Sequence, residues 1–96
     1  MALQFEWDWR KARANASKHK VTFQEAVSVF RDPLADVFDD EDHSAAEKRE
    51  IIIGHSDRQR LLVISFVERL EGVIRIISAR GATRREQHDY EEEPAP

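Results

Sequence analysis

The chain has 96 residues and a formal net charge of −4, and 41% of its residues are hydrophobic. This length leaves room for one domain with a single core. No apolar run is long enough to cross a membrane. The N-terminal residues lack the basic start and apolar core of a secretory signal. Because the chain contains no cysteine, disulfides and thiolate metal sites are excluded. We expect one cytoplasmic domain over residues 1–96, ordered from about residue 3 to residue 91.

Two helices are predicted in the first third of the chain, after a short strand over residues 3–7. Asp8 is placed to accept hydrogen bonds from the free amides that begin the first helix. The apolar stripe of this helix consists of Trp9, Ala12, Ala16 and His19. The second helix begins with a capping box from Thr22 to Glu25 and ends at Pro33. Its predicted buried face consists of Phe23, Ala26, Val27 and Phe30.

The hydrophobic period then changes to that of a sheet. A short strand is predicted over 34–38 and a loop over 39–46. Three successive strands rich in Ile, Val and Leu follow, with connections short enough for antiparallel hairpins, at 48–54, 61–67 and 73–79. A helix over 83–92 closes the domain. This order predicts an α+β fold, with helices packed on one face of an antiparallel sheet meander.

The segment from Ile74 to Glu86 carries the strongest functional signal. It contains four arginines and no acid before Glu86: Arg75, Arg80, Arg84 and Arg85. Guanidinium groups present planar donors that match phosphate oxygens, so the segment is typical of a phosphodiester-binding site, although pairing with surface acids is an open alternative. The negative net charge does not exclude a nucleic acid, because residues 86–96 hold five acids and no Lys or Arg, and without those acids the net charge is +1.

Candidate acid–base residues lie in two other segments. Glu47 and Arg49 share one face of the first predicted meander strand, where they form either a general base with a phosphate clamp or a cross-strand salt bridge. Lys18 and His19 end the first helix, where cations complement the helix dipole, and His19 is either a catalyst or a hydrogen-bonded core histidine.

The acidic run over 39–43 favours a solvated loop. It lacks the glycine and ligand spacing of a calcium loop, so we predict no metal site there. His43 stands between Asp42 and Ser44, but such adjacent residues cannot face one another as a serine triad requires. The chain also lacks a glycine-rich phosphate loop, which argues against nucleotide-binding folds and any bound cofactor.

A longer pattern of residues extends through most of the chain. Its N-terminal part comprises Trp7-Asp8, Lys11, Asn15, Lys18-His19, Val21, Phe23, Glu25-Ala26, Phe30 and Asp32-Pro33. Its second part comprises Asp42-His43-Ser44, Glu47, Arg49, Gly54, Leu61-Leu62-Val63, Ile74 to Arg80, Ala82-Thr83, Arg85-Glu86 and Tyr90-Glu91. From Phe5 to Glu91 the chain resembles the BrnT toxins of bacterial type II toxin–antitoxin systems. It departs from them at Trp9, where such proteins often have proline, and at Gly81, where they often have a basic residue.

The resemblance implies a compact RelE-like fold and a ribonuclease activity that arrests translation. It also implies neutralisation by a BrnA-type antitoxin, a small ribbon-helix-helix DNA-binding protein, which alone would contact promoter DNA. A non-catalytic module that binds RNA or protein is the alternative, and a DNA-binding repressor acting alone is disfavoured by the acidic tail.

RNA carries its own nucleophile, the 2′-hydroxyl, so a small domain needs only to position it, deprotonate it and neutralise the phosphate. We therefore expect a metal-independent endoribonuclease. In this hypothesis Glu47 or His19 is the base, and Arg49 and Arg80 stabilise charge on the phosphorane. The expected RNA-binding residues are Lys18, His43, Arg75, Arg84 and Arg85.

Overall fold

The computed structural model describes residues 2–41 and 47–92. Eight elements follow one another in chain order: strand β1 (Gln4–Glu6), helices α1 (Trp9–His19) and α2 (Phe23–Val29), strands β2 (Asp36–Asp39), β3 (Arg49–His55), β4 (Leu61–Leu70) and β5 (Val73–Gly81), and helix α3 (Arg84–Glu92). The expected α+β order, with two helices, a meander and a closing helix, is confirmed. None of the described helices is long and apolar enough to span a bilayer.

The five strands form one sheet in the order β1-β5-β4-β3-β2. The three pairs from β2 to β5 are antiparallel, as predicted. The short N-terminal strand β1, for which the sequence predicted no pairing, adds to this meander in parallel with β5. Hairpins fix the direction of successive strands, but β1 and β5 are joined through nearly the whole chain, and no short turn constrains their relative direction.

The hairpin between β4 and β5 is tighter than predicted, because β4 extends to Leu70, beyond its predicted end at residue 67. Only Glu71 and Gly72 connect Leu70 to Val73. Gly72 has a φ of +81°, a left-handed conformation that glycine adopts without steric cost.

The main core lies between one face of the sheet and helices α1 and α2. Its buried members are Val21, Phe23, Ala26, Val29, Ile52, Leu62, Ile64, Phe66, Ile74, Ile76 and Ala79. Phe30 packs edge-to-face against Phe5 and Phe66, with ring centroids 5.1 Å apart in each pair. The predicted buried face of α2 is confirmed at Phe23 and Ala26, which are fully buried, and at Phe30, which packs against the core. It is wrong in one position, because Val29 is fully buried and Val27 is only half-buried.

Helix α1 begins as predicted but buries a different residue. The Asp8 carboxylate accepts a hydrogen bond from the Arg10 amide at 2.8 Å, the expected N-cap. Trp9 does not belong to a buried stripe, because 60% of it is exposed and the guanidinium of Arg10 lies over its ring. The buried residue is Asn15, whose amide donates to Ala79 O at 2.7 Å and accepts from Ala79 N at 3.0 Å. Strand β1 pairs with only the first residues of β5. Asn15 thus hydrogen-bonds the backbone of β5 farther along the same edge.

Helix α2 is fixed to the β3–β4 connection by a buried carboxylate. Thr22 Oγ1 accepts from the Glu25 amide at 3.0 Å, but the Glu25 side chain does not complete the predicted capping box. It binds both the guanidinium of Arg60 and the hydroxyl of Ser56, which donates at 2.7 Å. The Arg60 hydrogen bonds hold the pKa of Glu25 below its usual value, against the effect of burial. The ion pair therefore compensates for burying this charge.

Candidate active site

Side chains of three strands alternate onto the sheet face opposite α1 and α2, which we call the open face. Three rows cross it through successive strand partners: Arg49–Val67–Arg75, Ile51–Ser65–Ser78 and Ile53–Val63–Arg80. Strand geometry makes neighbouring rows about 6–7 Å apart along β3 and β4. The open face therefore brings together three of the arginines proposed from the sequence.

Glu47 and Arg49 lie next to each other at one end of this face. Arg49 Nε is 3.6 Å from Glu47 Oε1, an ion pair too long for a hydrogen bond. The pair lies along one chain segment and is not the cross-strand bridge considered above. Arg49 Nε is buried and has no hydrogen-bond partner among the described residues. A buried donor without a hydrogen-bond partner is costly, so this N–H group is suited to donate to a ligand oxygen.

Arg80 is held by a carboxylate at the opposite end of the open face. Its two terminal nitrogens donate to the two oxygens of Glu86 at 2.7 and 2.9 Å. Glu86 also forms a capping box at the start of α3, because its Oε1 accepts from Thr83 N and its amide donates to Thr83 Oγ1. The Arg80 hydrogen bonds are the main reason that the pKa of Glu86 falls to about 2. For Arg80, pairing with an acid is thus the arrangement observed.

The other three arginines between Ile74 and Glu86 form no hydrogen bond to a carboxylate of the described residues. Arg75 lies 4.0 Å from Glu6, but that carboxylate already accepts two hydrogen bonds from Arg69 at 2.7 and 2.8 Å. Arg84 and Arg85 are exposed in the first turn of α3 and form no ion pair with the residues that the structure describes. Their donors are available to an anionic ligand.

The structure does not bring Lys18 and His19 together with the arginines. Lys18 is exposed and His19 half-buried at the end of α1, which packs on the core face of the sheet. Neither side chain forms a hydrogen bond or an ion pair within the described ranges. The alternative prediction, a hydrogen-bonded core histidine, therefore also lacks a partner for His19 among these residues. His43 lies outside the described residues, as does most of the predicted acidic loop.

A groove of about 470 Å³ lies on the open face between β2 and α3. It is lined by Asp36, Val37, Phe38, Ile51, Ile53, Val63, Arg80, Glu86, Asp89 and Tyr90. Its floor is apolar and its rim carries three carboxylates, so it differs in character from the arginine row at the other end. The separation along β3 from Arg49 to Ile53 is about 13 Å.

A polar cluster that sequence reasoning missed anchors the far end of α3. His55 N donates to Asp32 Oδ2 at 2.7 Å, and Tyr90 OH donates to Leu34 O at 2.9 Å. Burial raises the pKa of the Tyr90 hydroxyl, and the nearby carboxylates of Asp32 and Asp36 raise it further. The Asp32 loop packs so closely on β3 that a Cβ at Gly54 would lie 2.7 Å from Ala35 Cβ. This long-range contact has no local signal in the sequence.

Comparison with solved structures defines the class of fold. The structure matches that of the Brucella abortus ribonuclease toxin BrnT with a TM-score of 0.67 and 22% sequence identity, over 86% of this chain and 100% of that chain. At this identity the match shows a shared α+β toxin fold. No curated protein matches the sequence.

The family follows from the sequence itself. Residues 7–86 match the family described as the ribonuclease toxin, BrnT, of type II toxin–antitoxin systems. The chain therefore belongs to the BrnT family, and the resemblance inferred from its residues is confirmed. It is a ribonuclease toxin, with RNA as its substrate and an antitoxin as its partner.

Proposed function

We propose that this BrnT-family toxin cleaves RNA without a metal ion and thereby inhibits translation. The 2′-oxygen forms a bond to the adjacent phosphorus while the bond from phosphorus to the 5′-oxygen breaks. The products then end in a 2′,3′-cyclic phosphate and a 5′-hydroxyl. The observation that supports this proposal is the placement of Arg49 and Arg75 in one row of the open face, with Arg80 on the same face at its other end. Positioned cations stabilise the charge that develops on the phosphorane.

Glu47 is the base that the geometry favours. Its carboxylate is half-exposed and 3.6 Å from Arg49, so it is accessible to the 2′-proton of a ribose whose phosphate Arg49 binds. His19 is the weaker candidate because no contact within the described residues links it to either arginine. The 5′-oxygen takes its proton from a second donor, for which His43 is the candidate. Lys18 is disfavoured on the same ground as His19, because it also lies at the end of α1.

The arginines divide into two groups by their present partners. Arg49 and Arg75 contact the cleaved phosphate directly, since their donors are largely unoccupied. Arg80 contacts phosphate only by exchanging the Glu86 carboxylate for it, because both of its terminal nitrogens already donate to that side chain. Arg84 and Arg85 bind flanking phosphates from the start of α3, where the helix dipole also favours anions.

The partner in this proposal is a BrnA-like ribbon-helix-helix antitoxin. An acidic or amphipathic segment of that protein covers the open face near Arg49, Arg75 and Arg80 and prevents RNA from reaching it. Charge complementarity of this kind gives fast, salt-sensitive association. The complex binds promoter DNA through the antitoxin, and the toxin acts in the cytoplasm.

The decisive test is cleavage of RNA by the purified toxin in excess EDTA. We expect products with a 2′,3′-cyclic phosphate and a 5′-hydroxyl, detected by end-group labelling before and after phosphatase treatment. Complete inhibition by EDTA that magnesium reverses would overturn the metal-independent mechanism. RNA binding without cleavage under any condition would instead favour a non-catalytic interaction module.

A further inference from the structure

Two hydroxyl groups at the centre of the open face lack a hydrogen-bond partner. Ser65 on β4 lies directly opposite Ser78 on β5, and both are half-buried. Neither hydroxyl bonds to any group in residues 2–41 or 47–92. The two buried serines elsewhere differ, because Ser28 donates to Glu25 O at 2.6 Å and Ser56 donates to the Glu25 carboxylate at 2.7 Å. Because these two hydroxyls have no protein partner, they are available to donate to a polar ligand.

The surroundings of this pair define the charge of that ligand. Its row contains Ile51 and Phe38 on the neighbouring strands and no carboxylate. The row with Arg49 and Arg75 lies on one side, about 6–7 Å away along β3, within reach of an extended guanidinium. Two neutral donors next to two arginines, neither of which is hydrogen-bonded to its nearest carboxylate, Glu47 or Glu6, complement a phosphate group.

We propose that the hydroxyls of Ser65 and Ser78 donate hydrogen bonds to the non-bridging oxygens of the phosphate that is cleaved, and that Arg49 and Arg75 supply the positive charge. This inference rests on the proposed function, because it assigns substrate-binding groups to the same site. Residues directly opposite on antiparallel strands have Cβ atoms about 4.5–5.5 Å apart, so the two hydroxyls converge on two oxygens of one tetrahedral phosphate. Hydrogen bonds to an ionised acceptor are shorter and stronger than neutral ones.

The test measures binding of a 2′-fluoro RNA oligonucleotide, which lacks the attacking hydroxyl and cannot be cleaved by this route. We expect the double variant Ser65→Ala with Ser78→Ala to weaken binding by about tenfold or more, the scale of hydrogen bonds to a charged group. The slope of log affinity against log salt should remain that of the wild type, because no cation is lost. Arg75→Ala, in contrast, should reduce that slope by about one. Ser17→Ala, on the exposed face of α1, is the matched control and should bind as the wild type does.

Several outcomes would overturn the inference. One is binding by the double variant at wild-type affinity. Another is a loss of affinity accompanied by a reduced salt slope, which would mean that the arginines had been displaced. If the double variant fails to fold, the single variants Ser65→Thr and Ser78→Ala are compared instead. Ser65→Thr should retain RNA affinity because it keeps a hydroxyl, whereas Ser78→Ala should lose affinity. Equal losses of affinity in both variants would refute hydrogen bonding by the hydroxyls.

The inference and the proposed function fail in distinguishable ways. Wild-type protein that binds 2′-fluoro RNA through the hydroxyls but never cleaves natural RNA contradicts the catalytic proposal alone. Metal-independent cleavage with unchanged binding by the double variant contradicts the serine inference alone. No RNA binding by the wild type contradicts both.

Discussion

Replacing Glu86 by glutamine should separate the ion pair with Arg80 from the cap of α3. Glutamine has the same shape and can still complete a capping box with Thr83, but it carries no charge. The fall in the Glu86 pKa from 4.5 to about 2 corresponds to at most about 3 kcal/mol. Because the side chains of Arg80 and Glu86 are 40% and 34% exposed, solvent screening reduces this value, and we expect a loss of about 1–2 kcal/mol. In a domain of this size the thermal midpoint should fall by roughly 5–15 °C.

The pH dependence gives the sharper form of this prediction. A carboxyl group whose pKa is lowered on folding stabilises the protein above its unfolded pKa, and the stabilisation is lost as the pH falls through its folded pKa. The difference in the free energy of unfolding between wild type and Glu86→Gln should therefore be complete above about pH 4.5 and should vanish near pH 2. Urea denaturation at a series of pH values measures this difference.

The same substitution should also change RNA binding, because it releases Arg80. We expect tighter binding of an uncleavable RNA and a salt slope steeper by about one. Glu92→Gln is the matched control, since Glu92 is exposed on the same helix and its loss changes the net charge equally. If Glu86→Gln and Glu92→Gln have the same stability at every pH and the same RNA affinity, the Arg80–Glu86 pair has no energetic role.

Three further substitutions distinguish the site from its scaffold. Arg49→Ala should lower the rate of RNA cleavage by about two to four orders of magnitude with little change in the thermal midpoint; normal cleavage would remove Arg49 from the site. Ile76→Ala should do the opposite, lowering the free energy of unfolding by roughly 2–5 kcal/mol through a core cavity, whereas a loss of under about 1 kcal/mol would show that the core repacks. Asn15→Ala should cost about 2–4 kcal/mol, because it leaves buried peptide groups of Ala79 and Val21 unpaired; unchanged stability in chemical denaturation would mean that water replaces the amide.

Local interactions were the part of the fold that could be predicted from the sequence. The caps at Asp8 and Thr22 depend on residues two or three positions apart, and the three meander strands follow from runs of β-branched residues. The parallel pairing of β1 with β5 could not be predicted, because it joins residues about 70 positions apart. The buried polar residues could not be predicted for the same reason, since Asn15 and Glu25 have partners that only the folded chain brings near them.

The candidate site shows the same division between local and long-range information. The abundance of arginine near the end of β5 was visible in the sequence, and so was the proximity of Glu47 to Arg49, although not their ion pair along one chain segment. The ion pair between Arg80 and Glu86 was visible only in part. Thr83 and Glu86 have the spacing of a capping box, but that spacing does not reveal that Arg80 also binds the Glu86 carboxylate. The placement of His19 on the far side of the sheet follows from the packing of α1, which its helical periodicity alone does not determine.

A single irregularity in β5 determines that the arginines share a face. Arg75 and Arg80 are five residues apart, so in a regular strand their side chains would point to opposite faces. Ser65 pairs with Ser78 while Phe66 pairs with Ile76, which leaves Ile77 as an extra residue in β5, a β-bulge. The bulge reverses the alternation between Ile76 and Ser78, so that Arg75, Ser78 and Arg80 all reach the open face while Ile76 and Ala79 remain in the core. The proposed phosphate-binding surface therefore depends on the bulge as much as on the arginines, because without it either Arg75 or Arg80 would point into the core.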